Sequence, residues 1–200
     1  MTDFKRKLGR QYLRPALEAA AQQPRIHKYR LLSTCKRLSG TPKALQPVMF
    51  VGPGEIALGE EGVQFGWKNS PFFYSGYCHV EVSTPTARIE IGDRTEFNNN
   101  LFMKSEGEGI RIGKDCLFGA EVQIFDSDFH ELTPGKHVGG TPKTAAVEIG
   151  DGIFAGMGVK ILKGVTIGDD SVIGAGSVVT ASIPAGVIAA GNPARVIREL

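Results

Sequence analysis

The sequence predicts an all-β chain in which short strands wind into a parallel β-helix, behind a short N-terminal helical segment. The first observation is a six-residue period of aliphatic or small residues, whose longest series is Ile149, Ala155, Ile161, Ile167, Ile173 and Val179. The second is that glycine often follows this position, as at Gly150, Gly156, Gly168 and Gly174. Because six residues fit one strand and one corner, three units would close a triangular coil whose stacked neighbours pair in parallel.

The N-terminal part of the chain has a different pattern. Residues 1–45 are predicted to form the helical segment and residues 46–200 the β-helix. Apolar residues follow helical spacing over 2–24, where Pro15 is expected to kink or split the helix, and a second helix is expected over about 25–38. The first 40 residues carry ten basic and two acidic side chains. This excess is typical of a solvated helix face, and it leaves open a peripheral contact with an anionic membrane surface.

Composition excludes several classes of protein. Hydrophobic residues make up 42% and charged residues 22% of the chain, which is ordinary for a folded domain and excludes general disorder. The chain has no apolar run of transmembrane length and no signal-peptide pattern, so a cytoplasmic location, with the inner membrane as an optional contact, is expected. Cys35, Cys78 and Cys116 form no C-x-x-C pair, so neither a disulfide framework nor a zinc site is expected, and a nucleic-acid partner is not expected.

The repeat unit, aliphatic-Gly-x-x-small-x, resembles that of the hexapeptide-repeat acyltransferases. Residues 149–200, which end in GNPARVIREL, are similar to the C-terminus of maltose and galactoside O-acetyltransferases and of capsule or exopolysaccharide O-acetyltransferases. The resemblance covers about 85–200. It implies a left-handed β-helix, against the usual right-handed crossover. It also implies a homotrimer with each active site between two neighbouring prisms, and acetyl-CoA bound along the groove between C-terminal coils.

The repeat is interrupted over 125–147 by an extended loop that opens with FDSDFHEL. This element resembles the position of the catalytic histidine in polysaccharide O-acetyltransferases, which implies that His130 is the general base. An imidazole has a pKa suited to taking a proton from an alcohol near neutral pH. Asp128 or Asp126 is expected to orient it. In maltose and galactoside enzymes the histidine belongs to a T-x-H-P-type element that aligns near Asp126, so the substrate class stays open.

The resemblance also implies residues for the acceptor and for coenzyme A. Asn98 is expected to bind the acceptor hydroxyl or polarise the thioester carbonyl, or else to belong to a structural asparagine ladder. The positions matched to coenzyme A are Gly156, Met157, Ala175, Gly176, Thr180, Arg195 and Arg198. The two arginines would contact the 3′-phosphate, since guanidinium groups suit phosphate geometry, or else be surface charges of a terminal helix. Ala181 stands where the family commonly has a lysine, so one phosphate contact is expected to be absent.

The function expected from these residues is transfer of an acetyl group from acetyl-CoA to a hydroxyl of a sugar or of a polysaccharide or lipopolysaccharide precursor, without a metal. A small non-sugar acceptor, such as serine or an antibiotic, is the alternative within the same chemistry. Two further alternatives share the fold: a non-catalytic scaffold and a γ-class carbonic anhydrase. The latter needs three histidines around one metal, whereas His79 has no obvious partner and His137 is expected in a turn.

Overall fold

The computed structural model describes residues 2–200, with side chains from residue 13 onward except that of residue 14. One helix, α1 (Thr2–Leu32), precedes a succession of short strands. The strands are β1 (Arg37–Ser39), β2 (Lys43–Ala44), β3 (Val48–Val51), β4 (Glu55–Leu58), β5 (Gln64–Phe65), β6 (Cys78–Val82), β7 (Arg88–Ile91), β8 (Glu96–Phe97), β9 (Phe102–Ser105), β10 (Ile110–Ile112), β11 (Leu117–Phe118), β12 (Gln123–Phe125), β13 (Val147–Ile149), β14 (Phe154–Ala155), β15 (Lys160–Ile161), β16 (Thr166–Ile167), β17 (Val172–Ile173), β18 (Val178–Val179), β19 (Val187–Gly191) and β20 (Ala194–Glu199).

The strands form three sheets, and from β1 to β18 every third strand belongs to the same sheet. Sheet A has the order β1-β4-β7-β10-β13-β16, sheet B the order β2-β5-β8-β11-β14-β17-β19-β20, and sheet C the order β3-β6-β9-β12-β15-β18. All pairings are parallel except that of β19 with β20. Six coils of three strands therefore stack into a prism. The three corners take their names from the sheets that they join in chain order: A/B, B/C and C/A.

The residues of the six-residue series point into the prism. Ile149 pairs with Ile167 and Ala155 with Ile173 in the register of the strands, and all four are at most 3% exposed. On sheet B the buried anchors are larger, and the rings of Phe65, Phe97 and Phe118 stack at centroid distances of 5.2 and 4.8 Å. Full burial of such a side chain stabilises the folded state by ~1.5–3 kcal/mol. The predicted parallel β-helix is therefore confirmed strand by strand.

The glycine after each anchor is required by the stacking of the coils. A Cβ atom on Gly156 would lie 2.7 Å from the nitrogen of Ala175 in the next coil, closer than real Cβ contacts allow. The backbone φ of this residue is not in the left-handed region, so glycine is needed here for the close approach of the next coil and not for a turn. The corners instead use glycines two positions further on, such as Gly158, with φ of 72°.

Both ends of the chain differ from the sequence-based expectation. The predicted pair of helices is one continuous helix, α1, which contains Pro15 and Pro24. The helix ends at Leu32, and Oγ of the next residue, Ser33, accepts a hydrogen bond from the N–H of Phe50. Strand β1 then pairs with β4, and Leu38 packs on the core. The sheets thus extend N-terminally of the boundary that the sequence suggests at residue 46. At the other end, the segment considered as a terminal helix is the antiparallel strand β20.

Two long loops leave the prism at different corners. The first, residues 66–77 between β5 and β6, leaves at the B/C corner and is named the aromatic loop. The second, residues 126–146 between β12 and β13, leaves at the C/A corner and is named the histidine loop. The histidine loop lies within the interruption of the repeat that the sequence predicts at 125–147. Within residues 2–200, no helix combines the length and apolar composition that crossing a bilayer requires.

Candidate active site

The histidine loop is anchored at its first residue by a buried carboxylate. Asp126 is fully buried and accepts hydrogen bonds from Ser105 Oγ at 2.7 Å and from the backbone N–H groups of Glu106, Gly107 and Gly109 at 2.8 to 3.2 Å. These donors belong to the short turn between β9 and β10, one coil below. The buried carboxylate of Asp126 therefore links the histidine loop to the turn between β9 and β10.

The residue before the histidine has an unusual backbone conformation. Phe129 has φ of 61°, which is rare for an aromatic residue. Its N–H donates to Ser127 Oγ at 2.9 Å, and its ring packs edge-on against Phe125 at 5.1 Å. The ammonium of Lys104 lies 5.0 Å from the centre of the same ring. Strained backbone that the surroundings hold in place is characteristic of functional sites.

A backbone carbonyl orients the imidazole of His130. Nδ1 of His130 lies 2.8 Å from the carbonyl oxygen of His137, which has no hydrogen to give, so Nδ1–H must be the donor. The neutral ring then keeps its lone pair on Nε2, which has no hydrogen-bond partner among the described residues. The ring of His137 is held in turn by the carbonyl of Glu131 at 2.8 Å. His130 is exposed and therefore open to a substrate.

The carboxylates that the sequence suggests as orienting groups have other contacts. Asp126 is occupied by the turn between β9 and β10, and Asp128 faces Lys163, with 3.5 Å between Oδ2 and Nζ. The prediction that Asp126 or Asp128 orients His130 is corrected accordingly. The physical reason is local: the histidine loop turns back on itself, which brings the main chain of His137, seven residues later, to the imidazole.

The predicted acceptor residue lines a cavity at the B/C corner. Asn98 follows β8, and its Oδ1 accepts the N–H of Asn99 at 2.7 Å, so the amide Nδ2 is the end left for a ligand. The cavity measures about 260 Å³. It is lined by Trp67, Ser70, Asn98, Leu117, Phe118, Gly119, Ala120, Phe154, Gly156 and Met157.

Four of the residues predicted to contact coenzyme A form one column on the same corner. The N–H of Gly156 donates a hydrogen bond to the carbonyl of Ile173, whereas the N–H of Met157 has no hydrogen-bond partner in the described part of the chain. The carbonyl of Met157 accepts the N–H of Gly176 at 2.8 Å, so the pair Ala175–Gly176 lies directly on the next coil. Gly156 and Met157 thus line the cavity of Asn98, and Ala175 and Gly176 lie on the next coil at the same corner.

The remaining positions predicted for coenzyme A are exposed. Thr180 follows β18 in sheet C, away from the column on the B/C corner. Arg195 and Arg198 lie on β20 at the end of sheet B. Each guanidinium donates only to a nearby carbonyl at 2.8 Å, that of Ala194 or Glu199, and has no acidic partner among the described residues. Both positive charges are thus available to an anionic ligand.

His130 and Asn98 lie apart within one chain. Asn98 is at the B/C corner, where the strands of sheet C begin, and His130 is at the C/A corner, where they end. One side of the prism is about six residues of strand, or roughly 20 Å. The two residues thus follow opposite ends of the strands of sheet C. The prism as one copy therefore separates the two halves of the predicted site.

Sequence reasoning did not identify several residues at the B/C corner. Trp67 lines the cavity and is 46% exposed, while Asn99 is fully buried and binds the aromatic loop through both ends of its amide. The signal in the sequence was the long gap between the buried residues Phe65 and Cys78, which spans WKNSPFF. Such a gap marks an insertion at a corner just as clearly as the interruption that contains His130.

Two other surface features are separate from these residues. A wider groove of about 760 Å³ crosses the outer face of sheet A, and its charges pair with one another, as Arg111 does with Glu90 and Glu148. His79 pairs with Glu81 at 2.9 Å on sheet C. A carbonic anhydrase site requires three side chains that converge on one metal. Among the described residues, no three of the types His, Cys, Asp and Glu are arranged in this way.

Comparisons with known proteins relate the chain to one group. Residues 146–181 match the family described as bacterial transferase hexapeptide (six repeats), and residues 109–124 match the hexapeptide repeat of succinyl-transferase. The crystal structure of the hexapeptide-repeat containing acetyltransferase VCA0836 from Vibrio cholerae superposes with a TM-score of 0.54, at 29% identity, over 72% of each chain.

Two curated relatives share more sequence over a shorter length. The galactoside O-acetyltransferase of Escherichia coli (strain K12) is 40% identical over 117 residues, which are 57% of this chain and 55% of that enzyme. The galactoside O-acetyltransferase of Lactococcus lactis subsp. lactis is 37% identical over 112 residues, covering 56% and 53%. The match thus spans about half the length of these relatives. Two segments of the chain thus match hexapeptide-repeat models, the chain folds as a left-handed parallel β-helix, and it is similar in sequence to galactoside O-acetyltransferases.

Proposed function

We propose that the protein is an O-acetyltransferase that uses acetyl-CoA and acetylates a hydroxyl group of a sugar. The observation that carries this proposal is the orientation of His130: Nδ1–H donates to the carbonyl of His137, which leaves Nε2 exposed and directed to no protein partner among the described residues. A general base is what the reaction requires, because an alcohol is a poor nucleophile at neutral pH. The names of the relatives in E. coli and L. lactis support the sugar acceptor.

The reaction follows from this geometry in two proton transfers. Nε2 of His130 takes the proton of the acceptor hydroxyl as its oxygen bonds to the thioester carbonyl carbon, which gives a tetrahedral intermediate and an imidazolium. The carbonyl of His137 stabilises the imidazolium through the Nδ1–H bond. The intermediate then collapses as the carbon–sulfur bond breaks, and the imidazolium proton goes to the sulfur. The products are the acetyl ester and free coenzyme A.

Two donors on the B/C corner suit the developing oxyanion. The amide Nδ2 of Asn98 and the N–H of Met157 border the same cavity, and neither has a partner in the part of the chain that the structure describes. A donor aimed at the oxyanion contributes about 10²–10³-fold to turnover. Ala175 and Gly176 continue this corner toward the end of sheet B, where Arg195 and Arg198 are proposed to bind the 3′-phosphate of coenzyme A.

A complete site needs two copies of the chain. His130 of one copy must meet Asn98 of another, so the contact joins a C/A corner to a B/C corner. Such a contact between unlike surfaces closes into a ring when the rotation permits. A three-sided prism favours a ring of three, and we propose a homotrimer with three sites between its chains.

The acceptor is proposed to be a free sugar or a sugar unit of a polysaccharide or lipopolysaccharide precursor made in the cytoplasm. The basic N-terminal segment would favour a peripheral contact with an anionic membrane. Flotation with anionic and with neutral liposomes tests this contact, because a membrane role requires binding to the anionic vesicles alone.

Calorimetry with acetyl-CoA and a thiol-release screen of glycoside acceptors test the main proposal. Saturable binding of acetyl-CoA, and release of coenzyme A only when a sugar is present, are expected. A chain that binds no acetyl-CoA at millimolar concentration would be a scaffold rather than an acetyltransferase. Release with serine or an antibiotic, but with no sugar, would keep the chemistry and replace the acceptor class.

A further inference from the structure

We infer that Trp67 is the stacking platform of the acceptor subsite, and that the aromatic loop serves to hold this side chain beside Asn98. The inference rests on the proposed acetyl transfer to a sugar, and it names which face of the acceptor the protein recognises. It concerns a segment, residues 66–77, that stands outside the six-residue repeat.

The composition of the cavity suits one sugar ring. Its volume of about 260 Å³ lies just below the ~300–1,000 Å³ that drug-sized ligands occupy. Its walls are apolar at Leu117, Phe154 and Met157, each 42 to 50% exposed, and polar at Asn98 and Ser70. A pyranoside has the same division, since its C–H groups form an apolar face and its hydroxyls lie around the edge.

Trp67 provides the surface that such a C–H face prefers. Its side chain is 46% exposed although it lines the cavity, so part of the indole is accessible to a ligand. The face of an aromatic ring is electron-rich, and sugar C–H groups carry a partial positive charge. The hydroxyls at the edge of the stacked ring would then reach Asn98, whose free Nδ2 borders the same cavity.

Buried amides hold the aromatic loop from the inner side. Asn99 is fully buried, and its Oδ1 accepts the N–H of Trp67 at 3.0 Å. Its Nδ2 donates to the carbonyls of Trp67, Ser70 and Pro71 at 2.8 to 3.3 Å. Gln46, also fully buried, donates to the carbonyl of Phe72 at 2.7 Å. Two side chains thus fix the main chain on both sides of the indole.

Helix α1 holds the same loop from the outer side. Gln22 donates to the carbonyl of Phe73 at 2.7 Å, and Arg25 donates to the carbonyl of Gly76 at 2.6 Å. Tyr29 stacks on Tyr77 at 4.5 Å. These contacts give α1 a structural role at the site. Because the loop is held from two sides, its aromatic side chain is already ordered, which reduces the entropy lost when a ligand binds.

The backbone of the loop is strained at two places. Phe72 has φ of 65° and Asn69 has φ of 66°. A left-handed conformation is unfavourable for a bulky residue such as Phe72 and persists only where the surroundings impose it. The hydrogen bond from Gln46 to the carbonyl of Phe72 is such a constraint. A loop that served only as a corner would not need it.

The single tryptophan of the chain makes a direct binding test available. Intrinsic fluorescence of the full-length protein is titrated with methyl β-galactopyranoside and methyl α-glucopyranoside at millimolar concentrations, with methanol and glycerol as controls. A saturable change with at least one glycoside, and none with the controls, is expected. Absence of any saturable change would overturn the inference whether or not the protein transfers acetyl groups, so its failure is distinguishable from that of the proposed function.

Steady-state kinetics on three variants form the second arm. Trp67→Leu, which keeps an apolar side chain but no aromatic face, is expected to raise the KM for the glycoside roughly tenfold or more and to leave the KM for acetyl-CoA within about twofold. Trp67→Phe, which keeps an aromatic face, is expected to raise the glycoside KM less than Trp67→Leu does. Tyr74→Ala is the matched control, because Tyr74 is 50% exposed on the same loop but does not line the cavity.

Three results of this arm would overturn the inference. One is an unchanged glycoside KM in Trp67→Leu, and another is a rise in the KM for acetyl-CoA alone, which would assign the ring to the donor. The third is a shift of Trp67→Leu to a smaller oligomer in light scattering while wild type and Tyr74→Ala keep theirs, which would make the indole a subunit contact. If no acetyl transfer occurs with any sugar, the fluorescence titration decides.

Discussion

Nδ1 of His130 donates a hydrogen bond of 2.8 Å to the carbonyl oxygen of His137, and this contact selects the tautomer of the proposed base. A carboxylate in that place would add a negative charge beside the imidazole, whereas the carbonyl is a neutral acceptor. The contact also depends on the main chain of His137 and not on its side chain, which separates the two histidines experimentally.

Replacement of His130 by alanine is expected to lower kcat by about 10²–10⁴-fold, because the general base is lost. The KM for acetyl-CoA should stay near the wild-type value, since the donor contacts belong to the opposite corner of the prism. His137→Ala is the matched control, and it should retain most activity because its carbonyl remains. Thiol release with the sugar acceptor measures both. An active His130→Ala, or a His137→Ala equally impaired, would contradict the assignment of the base.

Replacement of Asp126 is expected to destabilise the fold more than replacement of Asp128. Neither carboxylate is expected to take part directly in catalysis. Asp126→Asn leaves buried N–H groups facing an amide that can donate as well as accept, and should lower the free energy of unfolding by about 2–4 kcal/mol. Asp128→Asn removes only a partly exposed ion pair with Lys163 and should cost about 1 kcal/mol or less. Urea unfolding measures both. Equal stability of the two variants would exclude the anchoring role of Asp126.

The neighbouring residues Asn98 and Asn99 are expected to separate catalysis from loop support. Asn98→Ala should lower kcat by about 10²–10³-fold with little loss of stability, because Nδ2 faces the cavity. Asn99→Ala removes the hydrogen bonds to the aromatic loop and should cost about 1–3 kcal/mol of unfolding free energy. Its glycoside KM should also rise. If the two variants showed the opposite phenotypes, neither residue could have the role assigned to it.

Acid should weaken the fold partly through Glu81. Burial alone would raise the pKa of this carboxyl, but hydrogen bonds from His79 and Ser83 and the charge of Lys104 outweigh it and lower the pKa below the ordinary 4.5. A carboxylate with a lowered pKa in the folded state adds stability above its unfolded pKa and loses it as the pH falls through the folded pKa. Below pH 4.5, the urea midpoint of unfolding should therefore fall less steeply with decreasing pH in Glu81→Gln than in wild type.

The exposed Glu60 offers the control for that titration. Glu60→Gln removes an exposed carboxylate and controls for the loss of one acidic side chain. The role of Glu81 would be disproved by parallel curves for wild type and Glu81→Gln across the acid range, or by an equal effect of both substitutions.

The sequence was sufficient for the fold because one rule repeats at every coil. Anchors such as Ile149 and Ile167 are in register and buried, as their spacing of three units predicts. The interruption before His130 was equally visible, because an insertion breaks a period that the rest of the chain keeps. Where the period holds, position in the sequence translates directly into position on a face of the prism.

Contacts made by irregular backbone could not be predicted in this way. The partner of His130 is a carbonyl seven residues away, and a carbonyl is present at every position, so its sequence carries no signal. Asp126 looked like a catalytic carboxylate because it is near His130 in sequence, but its donors lie on a turn about 20 residues earlier. Two helices were predicted where the structure has one, because Pro15 was expected to kink or split the helix. Pro15 and Pro24 instead both lie inside α1.

Subunit complementation tests the central claim, that His130 of one chain and Asn98 of another act on the same acceptor. Chains with His130→Ala and chains with Asn98→Ala are unfolded, mixed in equal amounts and refolded, with each variant refolded alone as the control. Random mixing leaves about one interface in four with both wild-type residues, so roughly a quarter of wild-type turnover should return. Activity of the mixture no greater than that of the separate variants would contradict a site formed between chains.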